Sequence, residues 1–442
     1  MTTNSKNRNE PDLIDEYIEY ACSACDAPSI FHKAIGYFVA SSLLGRFANV
    51  VTTYQPKGIK PNIWTILIGP SRIVRKTTSL NLGEDIIREV DEKILMPASF
   101  SPEGLYDILS NMKRGDVGAW VKDEMGGFFR DLQRKKYMSG TREILSMVYM
   151  GRGEERKLRS YQFKIPWGVY ITSAGTVPTP ASYYFSEEDF TSGFLNRFIL
   201  SYALSREKRI PLLHDDPLVQ KKREKIISTY KDLVSDCVSK APLIISFSSK
   251  AIKGLEDYDG KVEIELQRLE KENPSSLWKL YLAESPNQLM KLTVLRRLAA
   301  GNLTSGIVVV SEVDFIKAYN DLQDFLKCAY EIVNEVQVSA RPKKVETEER
   351  RLLRVYEIIR ESSTNGIKWT ELLSRTFLLK ADLLNIIETL MEQERIVAIR
   401  GESGIRGGRR AIIFLAKTHA VSSGLLSTGK ILSPSEVKAI LK

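Results

Sequence analysis

Two stretches of the sequence carry residue types whose spacing suits phosphate chemistry. The first is Gly69-Pro70-Ser71-Arg72-Ile73-Val74-Arg75-Lys76-Thr77-Thr78. It follows an apolar run over residues 63–68 and precedes a helical pattern over 76–93. A turn between a buried strand and a helix gathers backbone N–H groups and a helix N-terminus at one point, which suits an anion. Lys76 is placed to neutralise the terminal phosphates of a nucleotide, and the Thr77 hydroxyl to ligate magnesium. Gly69, Pro70, Ser71, Arg75 and Thr78 are the other candidate contacts in the loop. One residue too many separates Gly69 from Lys76, and Val74 or Arg75 stands where the loop's second glycine belongs. A plain basic strand-to-helix turn is the alternative.

The second stretch is Val117-Gly118-Ala119-Trp120-Val121-Lys122-Asp123-Glu124, an apolar strand ending in two carboxylates. Asp123 suits a magnesium ion, directly or through water, and Glu124 suits a general base that polarises the attacking water. Two acids opening a helix would serve its dipole equally well. A third apolar strand, residues 169–174, ends in hydroxyls. Thr172 and Ser173 are candidates to orient water or to sense the terminal phosphate.

Further along, Gly193-Phe194-Leu195-Asn196-Arg197-Phe198 sets one arginine between two aromatics. An arginine held stiffly is a candidate finger that stabilises charge in phosphoryl transfer. Pairing with Glu187 or Asp189 is the structural alternative. Arg156, Lys157, Arg159 and Lys164 form a basic stretch after the acidic pair, either a hairpin that meets DNA or a solvated edge. Near the C-terminus, two apolar strands over 396–400 and 411–415 flank a Gly-rich loop. Arg400, Arg406, Arg409 and Arg410 lie on or beside it and suit DNA phosphates.

The elements that must position these residues follow from periodicity. Two amphipathic helices over 12–46 break around Asp26-Ala27-Pro28. Strands then alternate with helices, the pattern of an α/β parallel sheet with right-handed crossovers. From 217 to about 336 the chain reads as almost wholly helical. After the linker Arg341-Pro342-Lys343-Lys344, three helices and a hairpin give the winged-helix pattern, for which a protein-docking role is the alternative to DNA.

The 442 residues carry a net charge of +9, which favours an anionic partner. With 43% apolar and 27% charged residues the composition is that of an ordinary globular protein. No apolar run approaches the ~20 residues of a membrane-spanning helix, and residues 1–11 lack the apolar core of a secretory signal. Cys22 and Cys25 make a lone CxxC with no second pair or matching histidines, so buried thiols are expected rather than zinc. A cytoplasmic setting is the expectation.

The order of these elements looks like that of the ATPase domain of AAA+ helicases, and residues 194–198 are similar to the Leu-x-Arg-Phe finger of minichromosome-maintenance helicases. More closely, the chain resembles a family of helicase-like P-loop ATPases found beside primases in plasmids, viruses and prophages. The shared features are Ala27-Pro28, Phe31-His32, Lys60-Pro61-Asn62, Gly69-Pro70-Ser71, Ser101-Pro102-Glu103-Gly104-Leu105, Asp123-Glu124 and 193–198. The likeness covers roughly residues 12 to 330. It implies an α/β P-loop NTPase core of AAA+ type, ATP and Mg2+ as ligands, DNA and replication proteins as partners, and a homo-oligomeric ring. The helix around 287–299 is similar to the one carrying a second sensor, with Lys291 in that role. Family members usually keep a glycine before the loop lysine, and its absence here bears on hydrolysis rate more than on fold. The expected organisation is an N-terminal helical segment (1–58), the ATPase core (59–210), a helical lid (211–340), a winged helix (345–417) and a flexible tail (418–442).

Overall fold

The computed structural model describes residues 11–51, 58–135, 138, 140–157, 162–210, 216–301, 303, 306–340, 348–362, 366–376, 380–400, 412–422 and 430–441. They fall into two compact units, 1–340 and 341–442.

The first unit opens with α1 (Leu13–Ala24) and α2 (Ser29–Leu43). Asp12 caps α1, accepting from the amides of Ile14 and Asp15 at 3.0 Å each. Helix α2, largely apolar, buries residues on every side. There follow β1 (Ala48–Asn49), β2 (Trp64–Gly69), α3 (Lys76–Asp91), α4 (Pro102–Asn111), β3 (Val117–Lys122), α5 (Met125–Arg134) and α6 (Thr141–Tyr149). Then come β4 (Glu154–Lys157), β5 (Gln162–Ile165), β6 (Tyr170–Pro178), α7 (Glu187–Thr191) and β7 (Phe198–Tyr202). The unit closes with α8 (Pro217–Lys240), β8 (Leu243–Phe247), α9 (Ser249–Glu272), α10 (Leu277–Leu282), α11 (Ser285–Ala299), β9 (Ile307–Val310) and α12 (Glu312–Ala340).

The architecture is mixed α/β. Its main sheet has the order β3-β6-β2-β7, and every pair in it is parallel. Strand β2 is buried along its whole length, which explains why it reads as a continuous apolar run rather than an alternating one. Strand β6 lies between the loop-bearing β2 and the acidic β3, in a register that pairs Gly69 with Pro178 and Lys122 with Gly175. It runs to Pro178, past the end at Ala174 expected from sequence, because Thr176 and Val177 continue its buried side chains.

A second parallel sheet, β1-β8-β9, corrects the expectation of an almost wholly helical region after residue 217. Strands β8 and β9 are short and half exposed, with Ile244, Ile307 and Val309 facing outward. Flanking lysine-rich helices hid so brief a period-two signal.

Buried charge ties the helices together. Arg296 of α11 donates to Asp12 at 2.7 Å, to Asp15 at 2.5 Å and to Asp321 of α12 at 2.5 Å, and its Nε meets the Tyr37 hydroxyl of α2 at 2.7 Å. One guanidinium thus joins four elements.

The second unit holds α13 (Glu348–Glu361), β10 (Ile367–Lys368), α14 (Trp369–Thr376), α15 (Lys380–Glu392), β11 (Ile396–Arg400), β12 (Ile412–Ala416), α16 (Lys417–Ser422), β13 (Lys430–Leu432) and α17 (Pro434–Leu441). Its sheet is antiparallel, in the order β10-β12-β11-β13. Val355, Ile359, Leu372, Leu383, Ile387 and Leu390 fill the core between helices and sheet. In the tail, where the sequence also offers a short helix over 435–441, α17 forms, β13 pairs with β11, and Leu432 and Val437 join that core. Ser433 and Glu436 cap the start of α17 reciprocally. Among the described residues no helix is long and apolar enough to cross a membrane.

Candidate functional site

The loop after β2 turns where its residues force it to. A Cβ on Gly69 would stand 2.4 Å from the Ala203 carbonyl oxygen and 2.7 Å from Val74, so only glycine fits there. Val74 is fully buried and takes up the extra residue as core packing. Arg75 then adopts the left-handed conformation (φ 52°) immediately before α3, at the place the standard loop gives to glycine. Arg72 is also left-handed (φ 65°). Both are costly for a side chain, by about 1–2 kcal/mol each.

Lys76 opens α3 and is 93% shielded (7% exposed), its ammonium donating to the Gly69 carbonyl at 2.5 Å. Burial pulls its pKa down, with Asp123 opposing. Thr77 donates to the two Asp123 oxygens at 3.2 and 3.1 Å. Asp123 also accepts from Thr176 at 2.6 Å and from the amide of Glu124 at 3.0 Å. That amide lies 3.1 Å from the Thr176 hydroxyl as well. Glu124 itself is left-handed (φ 53°) and exposed, so the chain turns sharply from β3 into α5 and leaves its carboxylate in solvent. A Cβ on Gly175 would sit 2.9 Å from the Lys122 carbonyl, and this close approach brings Thr176 to the acidic pair. Loop, acids and hydroxyl therefore meet at the C-terminal ends of three adjacent parallel strands. Pro70 is half-buried, and Ser71 and Thr78 are exposed along the loop and the first turn of α3.

Asp123 and Glu124 also border a cleft of about 520 Å3 lined by Phe100, Trp120, Lys122 and Phe128. Among the described residues no group of three His, Cys, Asp or Glu side chains forms a metal cage. The donor set for a cation is instead one hydroxyl and one carboxylate, Thr77 and Asp123, open to water.

Thr172 and Ser173 do not reach this place. Thr172 pairs with Ala119 and Ser173 with Trp64, at the middle and start of the neighbouring strands. Ser173 is five residues before the Pro178 that pairs with Gly69, roughly 16 Å along the strand. Thr172 bonds Ser42 at 2.7 Å, deep in the core. The hydroxyl at the strand end is Thr176, which an end at Ala174 concealed.

Lys291 is also remote from the loop of its own chain. Its ammonium donates to the Asn62 side chain at 2.8 Å, before β2 begins, and stands 3.7 Å over the Tyr149 ring. Burial draws its pKa down, and burial raises that of its electrostatic partner Glu284. Arg197 lies at this same end, since the next residue, Phe198, pairs with Trp64. Its guanidinium bonds the Gly193 carbonyl and lies 5.8 Å from the Tyr149 ring. Asp189 and Glu188 are held by Arg142 at 2.7 and 2.6 Å.

Of the basic residues, Arg156 and Lys157 lie on β4, which pairs antiparallel with β5 to make a hairpin. Arg159 lies outside the described residues. Lys164 is exposed on β5. Arg400 is exposed at the end of β11, whereas Arg406, Arg409 and Arg410 lie outside the described residues.

No protein-family model and no curated protein sequence matches this chain.

Proposed function

We propose that this chain is an ATP hydrolase of the P-loop, AAA+-like type, followed by a winged-helix DNA-binding unit, and that it works as a homo-oligomeric ring: an ATP-dependent DNA translocase, helicase or replication initiator of a mobile element. One observation carries the reading. Thr77 and Asp123, 46 positions apart, meet beside Lys76 at the C-terminal edge of a parallel sheet, where such sheets bind ligands.

Each residue then has a chemical task. Lys76, buried at the head of α3, meets the terminal phosphates, and the α3 N-terminus adds its amides. A magnesium ion would be held by the Thr77 hydroxyl and the Asp123 carboxylate, a sparse donor set of the kind that ion takes beside phosphate oxygens. Bound there, it would supply neutralisation of phosphate charge. Glu124 polarises water in front of the terminal phosphate. Thr176, by bonding Asp123 and lying beside the Glu124 amide, fixes the angle between the two acids. The exposed Lys164 of β5 and Arg400 of β11 are placed to meet DNA phosphates.

A second reading is favoured by the left-handed Arg72 and Arg75 in place of glycine: a nucleotide-gated DNA-binding adaptor that does not turn over. Steady-state ATPase measured with and without single-stranded DNA separates the two. Turnover stimulated by DNA and lost in Glu124→Gln supports the motor. Magnesium-ATP binding without turnover in either condition overturns it in favour of the adaptor.

A further inference from the structure

At the mouth of the loop Arg75 belongs to a cluster of three charged residues, whose other two members, Asp26 and Arg206, have no place in the scheme above. Asp26, in the link between α1 and α2, is 4% exposed. One of its oxygens meets Nη1 of Arg206 at 2.5 Å and the other meets Nε of Arg75 at 3.4 Å. The amide of Ile210 adds a contact at 3.4 Å. Arg206 belongs to the chain that leaves β7, three residues after Ala203, whose carbonyl crowds Gly69. Two guanidinium groups thus share one carboxylate beside the turn that follows β2. The Arg75 contact runs through Nε, and its side chain is 41% exposed, so the pair does not consume the whole fork. Its left-handed backbone aims it at Asp26 despite the strain.

We propose that Arg75 and Arg206 form a two-arginine clamp on the phosphate chain of a nucleoside triphosphate, with Asp26 as the positioning residue that holds both at the loop. The proposal rests on reading residues 69–78 as a phosphate loop. A planar fork grips phosphoryl oxygens in two directions at once, which a lysine cannot do. The clamp thereby replaces contacts that a glycine loop makes with backbone amides. Asp26 competes with the ligand for the same guanidinium groups, so its removal has the opposite sign from theirs.

The experiment is a titration of magnesium-ATP and magnesium-ADP into the full chain, read by calorimetry, for the wild type and for Lys76→Ala, Arg75→Gln, Arg206→Gln, Arg206→Lys and Asp26→Asn. The clamp requires Arg75→Gln and Arg206→Gln each to weaken ATP binding roughly tenfold. Arg206→Lys should recover part of the loss, and Asp26→Asn should leave affinity equal or tighter. Were the cluster only a structural tie, all three positions would behave alike: melting temperature would drop and the folded protein would keep its affinity within twofold. That result overturns the clamp while Lys76→Ala still abolishes binding. Wild-type protein that binds neither nucleotide overturns the phosphate-loop reading itself. Should Asp26→Asn not fold, the two arginine variants and the lysine rescue decide alone. Anisotropy with a short duplex completes the test. Unchanged DNA affinity in the arginine variants supports the nucleotide as ligand, and a loss confined to DNA overturns it.

Discussion

Thr77, at the head of α3, donates to both carboxylate oxygens of Asp123, at the end of β3, over 3.2 and 3.1 Å. A hydroxyl and a carboxylate brought together from separate elements, in solvent and beside a shielded ammonium, are what a magnesium–phosphate complex needs. Thr77→Ser should keep magnesium-dependent ATP binding, and Thr77→Val should weaken it at least tenfold, since only the hydroxyl differs in function. Glu124→Gln should bind ATP as the wild type does yet lose turnover by about 10²–10⁴. Turnover near wild type in that variant would make the acid structural.

Arg75 offers a test of backbone strain free of side-chain effects. Arg75→Gly and Arg75→Ala both discard the guanidinium and its contact with Asp26, but only glycine adopts φ 52° without penalty. The glycine variant should therefore be the more stable of the two by about 1 kcal/mol. Urea midpoints compared between the two variants measure this directly. Equal midpoints would mean that the loop relaxes and stores nothing at Arg75.

Much of this arrangement was legible in the sequence because it depends on contiguous residues. The apolar run of β2, the turn at Gly69 and the acids after β3 each announce themselves locally. What depended on register did not. Thr176 lies at the site only because β6 continues to Pro178, and no local signal distinguishes Ala174 from Pro178 as a strand end when every residue between is small or β-branched. The distance of Lys291 from the loop of its own chain was hidden for a related reason: the helix containing it was recognisable, but which end of β2 it packs against is a tertiary fact. Asp26, Arg206 and Arg296 escaped because charges in loops and helices usually face water, and their burial follows from partners far along the chain.

Protonation of His32 should couple pH to the packing under α3. Its ring is buried, and Nδ1 lies 3.1 Å from the Ser79 hydroxyl on α3. Burial, helped slightly by Lys208, lowers its pKa to about 4, with the Cys25 carbonyl opposing. Between an ordinary pKa near 6.5 and the folded value, the unfolded chain binds more protons, so stability falls as pH drops through that window. The full contribution is roughly (6.5 − 4) × 1.36, or ~3 kcal/mol, present above pH 6.5. His32→Asn keeps a hydrogen-bonding group near Nδ1 and removes the titration. Urea midpoints of the two proteins should converge on going from pH 7 to pH 4.5. Parallel curves would show that His32 titrates alike in the folded and unfolded chain.

The Arg296 network should be brittle. Arg296→Met would leave the buried Asp12 and Asp321, with side chains only 4% and 8% exposed, to Lys317 at 3.3 Å and Lys33 at 2.8 Å alone. Breaking a buried network by removing one partner costs about 3–5 kcal/mol. Arg296→Lys should recover only part of this, because one ammonium cannot face Asp12 and Asp321 as a guanidinium fork does. Thermal unfolding of the full chain reads both changes. A methionine variant as stable as the wild type would mean that water replaces the guanidinium.

Arg197 should act on a nucleotide bound by another copy of the chain. It closes a short 3-10 turn, Leu195–Arg197, between the buried rings of Phe194 and Phe198. Its own carbonyl contact, to Gly193, and the Tyr149 ring hold it in place, while the nearby acids Glu188 and Asp189 are taken by Arg142. It stands at the start of β7, whereas the loop follows the end of the adjacent β2, about 20 Å away along strands of this rise. A guanidinium at that distance cannot touch phosphates held by Lys76 in the same chain. Arg197→Ala should bind ATP normally and lose turnover by about 10³ or more. Lys76→Ala should lose binding. Mixed together, the two variants assemble some interfaces in which an intact Arg197 faces an intact Lys76, and those interfaces should hydrolyse ATP. Activity that rises on mixing and peaks near equal proportions is the expected result. Mixtures shown by cross-linking to co-assemble, yet as inactive as either parent, would make Arg197 a structural arginine.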